Sequence, residues 1–351
     1  MLIIILFALI PCAGFAQEVR EFYNSARSLA MGNTSIAVVN DETALLHNPA
    51  GLGKLRDYYG TILDPEFDGA TSLMSMYQKT PFSPFNLESV KGALDAKRES
   101  YYHARVQLFP SFVTRNFGIG IFGRYQLDAA MNAAGTTMST AYYDDLALVL
   151  GYNFRFFEGR VKLGVAGRFV SRIEVNQDLD PTQNLALTTY GAEGAAVAAD
   201  VGLILTGPWS WLPTISAVAR DVGGTKFTAG KGLRLQTTNI PAPITQDIDV
   251  AVALFPIHAS RARSSFTIEY QKMTAASQDA NKTKYMHAGY ELNLSDIFFI
   301  RGGMNGAYWT AGLELASEHT QIMLTTYGEE VGTSETPTEN RRMVMKFSLR
   351  F

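Results

Sequence analysis

Apolar and polar side chains alternate with a period of two along most of this chain. At the C-terminus Met343, Met345, Phe347, Leu349 and Phe351 share one parity; Arg342, Val344, Lys346, Ser348 and Arg350 share the other. A strand sends successive side chains to opposite faces, so one face of this segment suits hydrocarbon and the other suits water. The same division recurs upstream. Leu146, Leu148, Leu150, Tyr152 and Phe154 oppose Asp145, Ala147, Gly151, Asn153 and Arg155, and Phe117, Ile119, Ile121 and Tyr125 oppose Gly118, Gly120, Phe122, Arg124 and Gln126. Ile248, Val250, Val252 and Leu254 oppose Asp249 and Ala251; Phe266, Ile268 and Tyr270 oppose Ser265, Thr267 and Glu269; Met286, Ala288, Tyr290 and Leu292 oppose His287, Gly289 and Glu291. Within each strand the ionisable residues keep to one parity. A soluble sandwich also alternates, but bulky apolar groups on one face with glycines and charges on the other fit a barrel with lipid outside and a polar lumen.

Read back from Phe351, strands are predicted at 341–351, 319–328, 307–316, 297–304, 283–293, 263–271, 247–256, 213–221, 195–206, 160–173, 143–156, 116–127, 101–113 and 57–63. That is about fourteen, an even number as a bacterial barrel requires. The gaps alternate between short (114–115, 157–159, 257–262, 294–296, 317–318) and long (64–100, 128–142, 174–194, 222–246, 272–282, 329–340). Short periplasmic turns and long outer loops predict this rhythm; the short gap at 305–306 departs from it. Aromatics gather near strand ends, at Tyr101-Tyr102, Tyr142-Tyr143, Phe156-Phe157, Trp209 with Trp211, Phe298-Phe299 and Tyr308-Trp309, where interfacial girdles belong. The expected fold is all-β: a transmembrane antiparallel barrel with an N-terminal luminal plug.

Residues 2–16, LIIILFALIPCAGFA, read as an export signal ending in small residues before Gln17. No basic residue precedes the apolar run, and Pro11 before Cys12 fits a lipidation signal poorly. The expected organisation is a signal peptide at 1–16, a plug or hatch at 17–56 and an outer-membrane barrel at 57–351. Charged residues make up 18%, against about 25% in an average soluble domain. A net charge of −3 gives no reason to expect nucleic acid, and a single cysteine excludes a disulfide framework.

Residues 17–56 lack the strand period. Asn40-Asp41-Glu42-Thr43-Ala44-Leu45-Leu46 predicts a short helix capped by Asn40 or Asp41. In Asn48-Pro49-Ala50-Gly51-Leu52, Pro fixes φ and Gly tolerates a positive one, which predicts a compact turn. Irregular backbone at membrane depth must be enclosed by protein or water, so this segment is expected inside the lumen. The run Ala26-Arg27-Ser28-Leu29-Ala30-Met31-Gly32-Asn33-Thr34-Ser35-Ile36-Ala37-Val38 through Asn48-Pro49-Ala50-Gly51-Leu52 resembles the N-terminal signature of the FadL-type outer-membrane transporters, nearest their PorV-like and uncharacterised branch. Ala199-Asp200-Val201-Gly202-Leu203 and Val218-Ala219-Arg220-Asp221-Val222-Gly223-Gly224 resemble strand patterns of the same superfamily. The resemblance implies a fourteen-stranded barrel with a hatch whose turn is Asn48–Leu52. It implies transport of fatty-acid-like or aromatic molecules in some members and service to protein secretion in the PorV-like ones.

Candidate chemistry is sparse. None of His47, His103, His258, His287 and His319 sits at metal-ligand spacing with a second ligand, and no cofactor motif appears. His258-Ala259-Ser260 is faintly similar to the outer-membrane phospholipases but falls in a predicted turn after Pro256. The luminal charges Arg124, Asp145, Arg155, Lys162, Asp249, Glu269, Glu291, Arg301, Lys346 and Arg350 mix both signs, which favours ion pairs bracing the wall over an ion-selective pore. Pro110 interrupts strand 101–113 and marks a bulge, an edge or a kink; the resemblance to the FadL-type transporters implies a lateral opening for a ligand there, the alternative being a bulge near the periplasmic rim. Met74, Met76, Tyr77, Phe82 and Phe85 in loop 64–100 suggest capture of a hydrophobic ligand or a partner protein, the alternative being packing against neighbouring loops. The terminal Phe347-x-Leu349-x-Phe351 resembles the signal read by the barrel assembly machinery. The expected function is passive passage of a hydrophobic small molecule through the bacterial outer membrane, in contact with its lipid and without a cofactor. The alternative is a scaffold or an accessory to secretion-system proteins.

Overall fold

The structure, a computed structural model, describes residues 18–72, 83–229, 234–235, 237–279, 281–332 and 336–351. The expected export segment and Met74, Met76, Tyr77 and Phe82 lie outside the described residues. Fourteen antiparallel strands close into one barrel. β1 and β2 each run in two segments, Tyr59–Leu63 with Glu66–Ala70 and Tyr101–Leu108 with Ser111–Val113. There follow β3 (Phe117–Met131), β4 (Met138–Phe156), β5 (Val161–Leu179), β6 (Ala192–Thr206), β7 (Thr214–Arg220) and β8 (Asp247–Leu254). β9 (Ala262–Tyr270), β10 (Met286–Leu294), β11 (Phe298–Asn305), β12 (Tyr308–Ala316), β13 (Thr320–Glu330) and β14 (Glu339–Arg350) complete the wall. β14 closes on β1, with Arg350 opposite Thr61 and Lys346 opposite Glu66. Closure leaves no unpaired edge, which hydrocarbon would not tolerate. No helix among the described residues is long and apolar enough to cross a membrane.

The expected parity holds around the wall. Ile121, Phe169, Leu324 and Met345 point outward at 51–54% exposure, while Arg342 and Lys346 point inward at 1% and 3%. The end carrying the chain's C-terminus has short turns at 114–116, 157–160, 295–297 and 317–319. The opposite end has the long connections 71–100, 180–191, 221–246 and 271–285. The short gap at 306–307 is a genuine two-residue turn, with Gly306 at φ +57°.

Two expectations fell short. β1 continues beyond Pro65 to Ala70, because the proline sits at a bulge where no ladder donor is needed. β3, β4 and β5 reach 15 to 19 residues, longer than the roughly 9–11 needed to cross. Their extra length stands at the long-loop end, where helix α3 (Leu87–Ala96) lays Leu87, Val90 and Leu94 against Tyr102, Leu127, Met131 and Tyr142. Both faces of the sheet are covered there, so the period-two signal disappears. Phe85 joins the same cluster, its ring centroid 6.0 Å from that of Tyr125.

Residues 18–55 run inside the ring. They form α1 (Ala26–Ala30), α2 (Ala44–His47) and a 3-10 turn, Pro49–Lys54. Ser25 and Ser28 cap α1 reciprocally, each hydroxyl meeting the other's backbone N–H. The expected cap of the second helix is corrected. α2 starts later, with Thr43 as N-cap and no side-chain cap bond; the Asp41 carboxylate instead accepts from Thr43 N at 3.0 Å, and Asn40 accepts from Arg27.

Candidate functional site: the hatch, its seat and the β1–β2 seam

The hatch has few regular backbone hydrogen bonds, so the wall supplies partners. Glu66 Oε2 accepts from Ala26 N (3.1 Å), and Thr325 Oγ1 donates to Ala26 O (3.0 Å). Thr310 Oγ1 donates to Ala30 O and accepts from Gly32 N, both at 2.9 Å. Glu269 Oε2 accepts from Ser35 N and Ile36 N (2.8 and 3.1 Å), and His287 Nδ1 donates to Gly32 O (2.9 Å). Each contact removes a polar backbone group that would otherwise be buried unpaired. The polar parity of the strands thus serves the hatch as much as any solvent.

The luminal glycines form its seat. A Cβ on Gly164 would lie 2.1 Å from Ala50 N and 2.2 Å from Pro49 C; one on Gly202 would lie 1.9 Å from Asn48 Oδ1. Asn48, Pro49 and Ala50 therefore rest directly on the backbones of β5 and β6. Across the lumen Cβ atoms on Gly289, Gly303 and Gly312 would meet Met31 O, Gly32 N and Ala30 Cβ at 2.4–2.5 Å. Within the hatch Asn48 is the N-cap of the 3-10 turn, its Oδ1 accepting from Ala50 N at 3.0 Å, with Pro49 in the first turn. Asn48 Nδ2 donates to Ile36 O and Ser216 Oγ. Gly51 is not needed for a positive φ, as the sequence suggested. A Cβ there would lie 2.6 Å from Val39 Cγ1, so close packing is the reason. Leu52 is fully buried beside Leu45.

Charge fastens hatch to wall. Glu291 receives Arg27 of the hatch at 2.9 Å and Arg301 of β11 at 2.6 Å, and Arg301 also reaches Glu314 at 2.6 Å. Glu18 pairs with Arg342 (2.7 Å) and Glu42 with Arg350 (2.8 Å); Lys346 lies 3.2–3.9 Å from Glu66, Asp64 and Glu42. Within the wall Asp145 takes both Arg124 and Arg172. Of the luminal charges, Arg124, Asp145, Asp249, Glu291, Arg301, Lys346 and Arg350 are braces in ion pairs. Lys162 and Glu269 bind backbone groups instead, Gly159 O in the first case and Ser35 N and Ile36 N in the second, and Arg155 is exposed at the rim. At the hatch centre burial pushes the His47 imidazole down to about 3, with Arg220 adding to the effect, so a neutral ring meets Ser25 Oγ at 3.1 Å.

Pro110 faces an irregular stretch of β1. The β1–β2 ladder pairs Thr61 with Ser111 and resumes at Glu66 with Gln107. Between these pairs, 62–65 oppose 108–110, one extra residue that makes a bulge. Pro65 and Pro110 remove two donors from this interface. Phe109 N, left without a strand partner, donates to Asp64 Oδ1 at 2.5 Å. Phe109 turns inward and is buried in an aromatic cluster with Tyr23 (centroids 6.2 Å) and Phe122 (6.3 Å). Phe122 in turn meets Phe22 at 5.1 Å. Phe22 lines a luminal cavity of about 240 Å³ with Arg124, Tyr143, Arg168, Arg172 and Arg220. Unbroken aromatic packing thus links cavity to seam, and in this conformation the Asp64 carboxylate and the Phe109 ring plug the seam.

Phe347, Leu349 and Phe351 all carry the outward parity. The far end of the Phe351 ring packs against Gly60, where a Cβ would be 2.1 Å from its Cζ, so Phe351 is built into the closing joint. Sequence reasoning missed the individual seat glycines, Asp64, and the Phe22–Tyr23–Phe109–Phe122 cluster. Pro65, mirroring Pro110, was the available sign of the seam.

No family model matches the sequence, and no curated protein matches it. Solved structures do match in fold. A FadL homologue of Pseudomonas aeruginosa shares 10% identity at TM-score 0.53, over 96% of this chain and 99% of that one. The toluene transporter TbuX of Ralstonia pickettii shares 12% at 0.52, over 94% and 98%. The monoaromatic hydrocarbon channel CymD shares 11% at 0.52, over 92% and 96%. None of the three is described as PorV-like. Fourteen strands closed round an N-terminal hatch, superposable along nearly the whole chain, give this protein the FadL-type fold.

Proposed function

We propose that this barrel lets small hydrophobic molecules cross the bacterial outer membrane by passive diffusion, leaving the lumen sideways between β1 and β2. The observation that carries the reading is the alignment of cavity, aromatic cluster and interrupted ladder. A ligand reaching the cavity beside Phe22 meets aromatic faces as far as Phe109. Beyond Phe109 the β1–β2 ladder is interrupted between 62–65 and 108–110, so opening there starts with the Asp64–Phe109 bond and the Phe109 ring, with Lys346 also holding Asp64. Lateral exit keeps an apolar solute out of water, and movement down a gradient uses no cofactor. The likeness in fold to channels for toluene and monoaromatic hydrocarbons supports this class of solute. Export through residues 1–16, and insertion by the assembly machinery reading Phe347, Leu349 and Phe351, would place the barrel there.

The test locks the seam. Thr61 and Ser111 are direct partners across it, at a spacing that suits a disulfide. The only native cysteine is Cys12 in the expected leader. Cells making Thr61→Cys/Ser111→Cys should lose uptake of labelled toluene or a labelled long-chain fatty acid under oxidation and regain it on reduction. Uptake indifferent to the lock would refute a lateral route. The second reading, a non-transporting scaffold or secretion accessory, is favoured by the tight seat of the hatch. It predicts no uptake above barrel-free cells in either redox state, and co-purification of partner proteins bound at the outer loops.

A further inference from the structure

An apolar groove of about 660 Å³ runs over the lipid-facing side of β7–β11, a size typical of sites for whole organic ligands. Its floor is Ala288 and Gly302, and its flanks include Val252, Ile268 and Met304, all 43–59% exposed. Toward the short-turn end it is bounded by Phe266 and Tyr290. There the outer wall turns polar. The Tyr290 hydroxyl lies 3.0 Å from Ser264 Oγ, and Ser264 Oγ lies 2.7 Å from His258 Nε2. Ser264 has the outward parity of Phe266, so this cluster stands on the membrane side of the wall. The neighbouring turn 207–213 exposes Trp209 and Trp211 at 70% and 61%, and Trp211 O accepts from Phe255 N just past β8. Tryptophans of this kind mark the level of the lipid headgroups.

We infer that this groove and its polar end form a binding site for one glycerophospholipid of the periplasmic leaflet, with an acyl chain over Ala288 and Gly302 and the glycerophosphate at His258 and Tyr290. Two features single out a phospholipid. The groove starts at hydrocarbon depth and ends at headgroup level, and its polar groups lie only at that end. Inside a bilayer an acyl chain gains little by exchanging lipid neighbours for protein. A groove alone would therefore hold any lipid loosely, and selective retention must come from shape plus the headgroup contact. Ser264 acts as a positioning residue: its hydroxyl engages both the Tyr290 hydroxyl and the exposed His258 ring and fixes their spacing. The site is independent of the transport route, which leaves the barrel at β1–β2.

Native mass spectrometry of the whole barrel tests this, after exposure to vesicles of phosphatidylethanolamine and phosphatidylglycerol and extraction into detergent. The wild type should retain one phospholipid per barrel. Gly302→Leu fills the floor; a Cβ there meets only Thr310 O at 3.7 Å, so the strand accommodates it. Its bound fraction should fall at least tenfold. Gly167→Leu, outward-facing on β5 with open space around it, should retain lipid as the wild type does. His258→Ala/Tyr290→Phe leaves the groove intact and should lose phospholipid while still carrying detergent. A wild-type barrel without phospholipid, equal retention in Gly302→Leu, or a dimer mass in place of the lipid adduct would overturn the assignment.

Discussion

Replacing Gly164 by alanine adds one methyl group where the hatch touches the wall. That Cβ would lie 2.1 Å from Ala50 N and 2.2 Å from Pro49 C, and both are backbone atoms that no rotamer change can move. Either β5 bows outward or residues 48–50 rise from their seat. Overpacking of this kind costs about 1–3 kcal/mol. Lifting the turn also breaks the bonds from Asn48 Nδ2 to Ile36 O (2.7 Å) and Ser216 Oγ (2.9 Å), at about 1 kcal/mol each. The total, about 3–5 kcal/mol, is a factor of about 10² to 10³ or slightly more in the hatch's opening equilibrium, at about 1.4 kcal/mol per decade. Gly167 provides the control, three residues along the same strand and facing lipid with nothing within 4 Å of an added Cβ. Hydrogen exchange of the reconstituted barrel should show amides in 44–54 losing about a hundredfold protection in Gly164→Ala and none in Gly167→Ala. Planar-bilayer recordings should show bursts of ion leak in the first variant only. Equal exchange in the two variants would mean that the glycine seat does not hold the hatch.

Glu291→Ala takes the shared carboxylate from Arg27 and Arg301, leaving Asp41 to the first and Glu314 to the second. Breaking a buried pair costs about 3–5 kcal/mol, and these remaining partners place the loss near 3, read as a lower midpoint of heat-modifiable migration. Asp64→Ala leaves Phe109 N without its acceptor, a cost of about 1–3 kcal/mol; exchange along the β1–β2 seam should quicken and hydrophobe uptake should rise. Phe351→Ala removes the ring that covers Gly60 at the closing joint, and a smaller fraction of the barrel should reach the folded, membrane-inserted form.

Period-two alternation was legible wherever lipid and lumen lie on opposite sides of one strand, as along β14 and the central part of β4. It failed at the outer parts of β3–β5, because helix Leu87–Ala96 buries the face that would otherwise be polar. It also failed beyond Pro65, where a bulge lets the strand continue through a residue that normally ends one. The hatch was recognisable by its lack of period and its Asn48–Leu52 motif. Its seat was not, since a luminal glycine looks alike in sequence whether it faces water or a hatch backbone that leaves no room for a Cβ. The seam needed two prolines 45 residues apart to be placed side by side, which only tertiary pairing shows.

Spin labels placed one at a time along β14, from Met343 to Phe347, test the underlying geometry most directly. Met343, Met345 and Phe347 should collide freely with dissolved oxygen and rarely with a water-soluble nickel chelate. Val344 and Lys346, sealed against the hatch, should be shielded from both reagents. Accessibility without a two-residue period, or with the oxygen maxima at 344 and 346, would contradict a barrel whose outer parity meets lipid and whose inner parity holds a hatch.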